Sequence, residues 1–448
     1  METTGLDVEV KTSFETTASE ASVTASIGRY RWLICSLLFF ATTVNYIDRQ
    51  ILSLLKPILD NELHWTNAEF GQVNAAFQAA YALGLLLFGK FIDRFGVKLG
   101  YGVSIAAWSL AAMAHAAASG VAGFAMARLA LGLGEGGNFP SAIKAVAVWF
   151  PKRERAFATA LFNSGANVGA IVAPATIPLL AEAGGWRLPF LVAGAAGFVW
   201  LFFWRSLYGN PESVDAVSAR ELAHINANAE PELPEVERVG WLKLLQLRAA
   251  WAFIVAKFLT DPVWWFFLIW LPDYFKKTRG LDLKSSWVHL CSIYAIVTVL
   301  SITGGWVTGY WLRRGHTISR ARKQGMLLFA CLVLPVLTVT QASDWGAVML
   351  IGLAGAAHQA WSATLFTSVS DMFPKRAVAS VVGLGGMAGS LGGIAFPIYS
   401  GRLLDRFEAA GNVTAGYALL FGICSCAYLL AFAIHHALAP RFEPIEAS

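Results

Sequence analysis

Twelve apolar stretches recur along the chain, and they constrain its fold more than any other feature. A helix needs about 20 residues to cross the hydrocarbon core of a bilayer. Runs of that order fall at 32–54, 70–90, 99–118, 121–149, 156–181 and 187–207, then at 249–272, 286–312, 325–341, 345–371, 378–400 and 414–437. They form two groups of six, and several are long enough to predict tilted helices. Composition agrees: of 448 residues, 56% are hydrophobic and 14% are charged, against about 25% charged in a soluble domain. Mean hydropathy is +0.55. The chain reads as an all-α integral membrane protein with twelve transmembrane helices in two six-helix bundles. Two or three soluble domains, a disordered chain, a collagen-like fibre and a secreted disulfide scaffold are excluded.

The expected organisation follows from the polar segments. Residues 1–28 are rich in Thr, Ser and Glu and lack the basic-then-apolar order of a signal peptide, so a disordered cytoplasmic tail is expected there. A first bundle at 29–208 and a second at 248–438 flank a cytoplasmic linker at 209–247, and a short cytoplasmic tail follows at 439–448. The linker holds Pro211, Pro231, Pro234 and an acidic run of Glu230, Glu232, Glu235 and Glu237. Ser218-Ala-Arg-Glu221 resembles a capping box, and Trp241-Leu-Lys-Leu-Leu245 is amphipathic enough to lie in the interface. With the termini inside, short cytoplasmic loops carry about 13 basic residues against about 8 on the other face, the bias expected of cytoplasmic loops. Both termini are therefore expected in the cytoplasm, at the cell (inner) membrane.

Net charge is +5, but the basic residues are scattered and no Lys/Arg run predicts a nucleic-acid partner. The five cysteines (Cys35, Cys291, Cys331, Cys424, Cys426) sit in apolar runs without metal-ligand spacing, so free buried thiols are expected. His435-His436 has no further ligand nearby and predicts no metal. A monomer is expected.

An internal repeat supports the two-bundle reading. Phe150-Pro-Lys-Arg153 recurs as Phe373-Pro-Lys-Arg376, and the same offset pairs Gly132 with Gly355, Gly169 with Gly392 and Pro174 with Pro397. Halves repeated about an axis along the membrane normal are one known transporter plan. The offset also pairs Glu135 with His358, which predicts two polar groups facing each other across the axis at mid-membrane.

Charged and polar residues inside the spans mark the expected site, because such residues are costly in a bilayer and usually face a cavity or a partner. Asn45-Tyr46-Ile-Asp48-Arg49 lies in the first span, with a purely structural ion pair as the alternative. Arg128 and Glu135 lie in the fourth, on one face but two turns apart, about 10 Å along the axis. Arg128 then needs a partner elsewhere, for which Asp48 is the candidate, leaving Glu135 free to titrate. Gly132, Gly134 and Gly137 satisfy a dinucleotide-binding pattern, but no strand precedes them, and close helix approach or local bending is the better reading. The second half lacks intramembrane Arg or Lys except near helix ends. It offers Asp261, Trp264 and Trp265 in the seventh span, where Asp261-Pro262 is alternatively a helix-bending pair, and His358-Gln359 in the tenth, where a satisfied core histidine is equally open. Gln78 and Tyr81 in the second span, with Asn163 and Asn167 four apart in the fifth, add hydroxyl partners. Two arginines suit a carboxylate, amides suit hydroxyls and indoles suit a sugar face. An anionic, hydroxyl-rich solute is expected.

The string Gly89-Lys-Phe-Ile-Asp93-Arg94-Phe-Gly96-Val-Lys98 predicts a tight turn with its charges at the headgroup level. It resembles the signature loop of the major facilitator superfamily, whereas the second-half copy, Gly309-Tyr-Trp-Leu-Arg313-Arg314-Gly315, has Arg313 where the acid belongs. With Asn45 to Arg49, Arg128 and Glu135, and Trp149-Phe-Pro-Lys-Arg153-Glu-Arg155, residues 29–438 resemble the anion:cation symporters of that superfamily. Lys257 to Trp265 and Ala357 to Ser362 look most like the bacterial hexuronate transporters. The seventh-span Arg of the vesicular relatives is not found.

The resemblance implies proton-coupled uptake of a sugar acid such as glucuronate or galacturonate by alternating access. It places Arg49 and Arg128 at the substrate carboxylate and its gate, Asp48 and Glu135 at proton coupling, and Asp93 and Arg94 at the gating loop. Tyr46, Tyr81, Gln78, Asn163, Asn167, Trp264, Trp265, His358 and Gln359 complete the expected binding set. The coupling ion aside, no cofactor is implied. Galactonate, glucarate and tartrate carriers share the first-half residues, and sodium coupling is the alternative to protons. An enzyme is not expected, since no nucleophile–base set or metal cluster is present. A transporter-like sensor would need a signalling domain that the tails are too short to hold.

Overall fold

The computed structural model describes residues 28–226, 241–373 and 375–443, and a few side chains inside helices, Asp93 among them, fall outside it. The acidic run at Glu230–Glu237 and most of the expected N-terminal tail also lie outside the described residues. Apolar runs become helices here because only a helix satisfies its own backbone in hydrocarbon. The long helices are α1 (Tyr30–Leu63), α2 (Asn67–Phe95), α3 (Val97–Ala114), α4 (Val121–Glu135), α5 (Asn138–Trp149), α6 (Lys152–Gly184) and α7 (Arg187–Leu207). Two short helices follow, α8 (Ala219–Asn226) and α9 (Trp241–Leu244). Then come α10 (Arg248–Arg279), α11 (Leu283–Arg313), α12 (Ile318–Val333), α13 (Asp344–Met372), α14 (Lys375–Ala409) and α15 (Val413–Leu438).

Taking α4 with α5 as one traverse, these make the expected twelve passes among the described residues. Eight of them are long and apolar enough to cross a membrane on those grounds alone. Three predicted spans are not continuous α-helices. The third span ends as a 3-10 turn over His115–Ala117. The fourth breaks at Gly136-Gly137, and the ninth continues from α12 as a 3-10 segment over Leu334–Gln341, where Pro335 cannot donate to the α ladder.

The repeat is written into the turns. Among the described residues the left-handed backbone positions pair across the halves: His64 with Gly280, Gly96 with Gly315, and Gly185 with Gly411. Gly96 and Gly315 share a φ of 82°, so the second signature loop keeps the turn although it lost the acid. Phe150 and Phe373 both end a helix in extended geometry, their N–H groups donating to Val146 and Val369.

All termini of the two bundles fall on two faces. The face carrying Tyr30 and Leu438 is here the tail face, and its opposite the far face. On the tail face, the sequence-predicted capping box at Ser218 is only half formed. Ser218 Oγ accepts from the Glu221 N–H at 3.2 Å, but the Glu221 carboxylate turns away. It accepts instead from the N–H groups of Tyr30 (3.2 Å) and Arg31 (3.0 Å), capping α1. Free orphan N–H groups at a helix start explain the choice. Arg31 bridges Glu221 (3.2 Å) and Glu154 (3.0 Å), and Glu154 also meets His224 at 2.8 Å. Burial pushes the Glu154 carboxyl up, but the bonds from His224 and Arg31 outweigh it and hold the group below its ordinary value.

The bundles meet at the far face. Asp405 of α14 accepts from the N–H groups of Asn67 and Ala68 at the start of α2, both at 2.8 Å. Lys56 of α1 lies 2.9 Å from Asp273 of α10, whose other oxygen accepts from Tyr417. Gly71 and Gly401 sit so close to the Pro397 and Asn67 carbonyls that a Cβ would collide with backbone. Among the described residues, every hydrogen bond and ion pair joining the bundles lies in the far half. Not all cysteines are buried as expected: Cys35 and Cys424 are, whereas Cys331 and Cys426 are exposed on the bundle surface.

Candidate functional site

Between the bundles, on the tail side of that closure, lies a cavity of about 660 Å³. Helices supply it because the bundles diverge from the far face. Tyr46 (α1), Tyr81 (α2), Phe139 (α5), Asn163 and Asn167 (α6) face Lys257, Asp261, Trp264 and Trp265 (α10), Ser301 (α11), and His358, Gln359 and Phe366 (α13). Eight of the eleven sequence-predicted binding residues line it: Tyr46, Tyr81, Asn163, Asn167, Trp264, Trp265, His358 and Gln359. Two other grooves are almost wholly apolar, and a polar one of about 630 Å³ lies at the far face beside Asp60, Lys277 and Glu408.

Arg49, Arg128 and Gln78 are buried and do not line the cavity. Arg49 stands directly behind its wall. The guanidinium carbon lies 4.5 Å from the Tyr81 ring centre, 5.0 Å from Tyr46, 5.5 Å from Phe77 and 5.7 Å from Trp265. Cation–π contacts in such desolvated settings contribute up to about 2 kcal/mol each. Trp265 belongs to the second bundle, so this cage spans both halves.

The charge pairing differs from the sequence expectation. Arg49 Nε donates to Glu135 Oε2 at 2.6 Å, so Glu135 is not free. The partner lies 86 residues away and is reached only because α1 packs beside the α4–α5 joint. Arg128 does not pair with Asp48. It donates to the Arg49 carbonyl at 3.3 Å, and its guanidinium carbon lies 5.5 Å from the Phe77 ring centre. Both Asp48 oxygens are buried without a hydrogen-bond partner, as are the side-chain amide atoms of Asn45, Arg49 Nη2, Arg128 Nε and Glu135 Oε1. Buried polar atoms are normally satisfied, so this cluster stands out within the first bundle.

Glu135 is fully buried and does not face His358 across the cavity, contrary to the expectation from the repeat. Only His358 opens on the cavity. Its Nδ1 lies 2.7 Å from Tyr428 Oη, and its ring stacks on Trp264 with centroids 5.5 Å apart. The glycines of the fourth span both bend it and permit close approach: a Cβ on Gly132 would meet the Phe77 carbonyl, and one on Gly136 the backbone of Gly84.

Sequence reading passed over one cavity group. Lys257, inside the seventh span rather than near its end, lies 2.7 Å from Asp261. Their four-residue spacing was the signal that could have found it. The Asp261 carboxylate is therefore engaged with a cation of its own helix. The gating expectation at Asp93 lies outside the described side chains, while Arg94 is exposed and stacks over Phe95 at 5.5 Å.

Comparison with known proteins fits this geometry. Residues 38–397 match the family model described as Major Facilitator Superfamily. The chain is similar to the Hexuronate transporter of Escherichia coli (strain K12), 29% identical over 404 residues, covering 89% of this chain and 92% of the relative. It is similar to the Probable galactarate/D-glucarate transporter of the same strain, 29% identical over 416 residues, covering 88% and 93%. Among solved structures it resembles a bacterial homolog of the human lysosomal transporter Spinster in an inward-facing and unoccupied conformation. There the TM-score is 0.74 at 16% identity, covering 94% of this chain and all of that one.

Proposed function

We propose that this chain, which belongs to the Major Facilitator Superfamily, takes up an anionic sugar acid, a hexuronate such as glucuronate or galacturonate, by proton symport across the inner membrane. The observation that carries the reading is the Arg49–Glu135 pair set behind the aromatic wall of the cavity between the bundles. With the termini in the cytoplasm, the described conformation is inward-facing, closed at the far face and open to the tails.

The geometry supports a simple exchange. A carboxylate ligand and Glu135 compete for one guanidinium fork. Protonating Glu135 releases Arg49, whose planar fork suits a carboxylate. Losing that proton restores the 2.6 Å pair and expels the anion. Asn163, Asn167 and Gln359 then meet hydroxyls, and Trp264 and Trp265 cover the ring face. Asp48, with no donor to its oxygens, is the second proton site, and Arg128 keeps Phe77 and Arg49 in register. No group in this scheme makes or breaks a covalent bond of the solute, so the reading is a carrier and not an enzyme.

Uptake of labelled glucuronate, galacturonate and galactonate into proteoliposomes, with and without an imposed pH gradient, tests it. Accumulation of a uronate driven by external acid is the expected result. Accumulation that follows a sodium gradient and ignores pH would replace the proton; no uptake of any sugar acid would end the reading.

A further inference from the structure

Each bundle holds one cation–carboxylate pair beside the cavity, the first behind its wall and the second lining it. In the first it is Arg49–Glu135 at 2.6 Å, and in the second Lys257–Asp261 at 2.7 Å. The second pair is unused by the scheme above. Among the described residues that line the cavity, Lys257 is the one cation and Asp261 the one anion. Their side chains are only 8% and 19% exposed, and the opening they have is into the cavity.

The pair is built into the fold. Phe366 of α13 lies 4.6 Å from the Lys257 ammonium, on the cavity wall. Gly389 of α14 stands where any Cβ would strike the Asp261 carboxylate, so that helix leaves room for the acid. Neither residue joins the two bundles, and neither is needed for the far-face closure. A charged pair within a membrane-spanning helix is costly. Helix packing alone would be served as well by an apolar pair of similar volume.

We propose that Lys257 and Asp261 form a second carboxylate subsite, which fits the cavity to sugar acids carrying a carboxylate at each end. The inference rests on the sugar-acid reading above. One carboxylate of the ligand takes the Arg49 fork in the first bundle. The other takes the Lys257 ammonium in the second, in place of Asp261, which turns towards the cavity it already lines. The ammonium is a compact point charge with three donors, so it accepts a carboxylate at the end of a flexible chain without demanding one orientation. Hydroxyls between the two ends meet Asn163, Asn167 and Gln359. Each pair exchanges a protein carboxylate for a ligand carboxylate, and the number of ion pairs is conserved.

The test compares D-glucarate, with two carboxylates, and D-glucuronate, with one, by calorimetry on the detergent-solubilised full chain. Lys257→Met combined with Asp261→Asn removes both charges, which avoids stranding a buried acid. The double variant is expected to lower the ratio of glucarate to glucuronate affinity by about tenfold. The exchanged pair Lys257→Asp with Asp261→Lys, which restores a cation one turn away, is expected to recover part of that ratio. Equal losses for both ligands, or no change in either, would overturn the subsite. So would a wild-type chain that binds glucuronate and not glucarate, although the sugar-acid reading would then stand. Binding of neither ligand by the wild type would fell that reading and the subsite with it. If the double variant does not fold, the exchanged pair alone decides: a ratio equal to wild type with the cation displaced overturns the proposal.

Discussion

Arg49 meets four aromatic rings and one carboxylate, and the two kinds of contact ask different things of it. The rings need only a cation, whereas Glu135 and a ligand carboxylate need a planar fork. Arg49→Lys keeps the first and loses the second. Glucuronate affinity is expected to fall about 100-fold, roughly 3 kcal/mol, with the chain still folded. Calorimetry with the variant checks it, and near-normal affinity would remove Arg49 from the carboxylate. Glu135→Gln tests the other half of the exchange. A neutral amide leaves Arg49 permanently available, so pH-driven accumulation should be abolished while exchange of internal for external substrate persists. Asp48→Asn is expected to abolish accumulation too. Proteoliposomes carrying each variant separate the two activities; if both still concentrate substrate, the proton path runs elsewhere, at Asp261 or His358.

At the scale of elements, α8 is fastened to the start of α1 and α6 by a cluster of ionisable groups. The Glu154 carboxyl is held below its ordinary value in the fold. A depressed acid contributes stability above its unfolded pKa, about 4.3, and loses that contribution as pH falls through the lower folded value. The wild type should therefore lose more thermal stability than Glu154→Gln between about pH 5 and pH 3. Equal acid limbs in the two melting series would show that the cluster does not act this way.

The twelve passes were legible because runs near bilayer length recur in two groups of six, although among the described residues eight qualify on length and apolarity alone. The repeat was legible at Phe150 and Phe373 because a helix must stop there in both halves. What escaped was pairing between helices. Asp48 stood one residue from the correct answer, but whether residue 48 or 49 meets the fourth span is set by the rotation of α1 about its axis. No local pattern encodes that rotation. The split of the fourth span escaped for a related reason: its glycines announce either a bend or close approach, and the structure uses them for both. Lys257 was readable and was missed, since its four-residue spacing to Asp261 needed no tertiary information.

Over the whole molecule, closure of the far face rests on contacts that only the two bundles together provide. Gly71 and Gly401 admit backbone to backbone, and Asp405 caps a helix of the opposite bundle. Losing a cap of this kind costs about 1 kcal/mol, and adding a side chain at the glycines forbids the contact outright. Gly71→Val and Gly401→Val should leave each bundle folded and hold the far face open. A cysteine placed at Asn163 should then react with an impermeant maleimide from the far side several times faster than in the parent, and net transport should fall to background. Unchanged labelling would show that the far face closes by other means.

The break in the fourth span has a mechanical meaning. Glu135 is the last residue of α4, and the chain turns through Gly136-Gly137 before α5 begins. Gly136 lies against the backbone of Gly84, too close for any side chain to intervene. The joint therefore has a fulcrum, and the carboxylate sits beside it. In the proposed scheme a change of charge at Glu135 would act where the two arms meet, and a small tilt there would displace the other end of α5 most. Phe139, the second residue of that arm, lies on the cavity wall. On the proposed exchange, the carboxylate that would choose between Arg49 and a proton stands where the two arms meet.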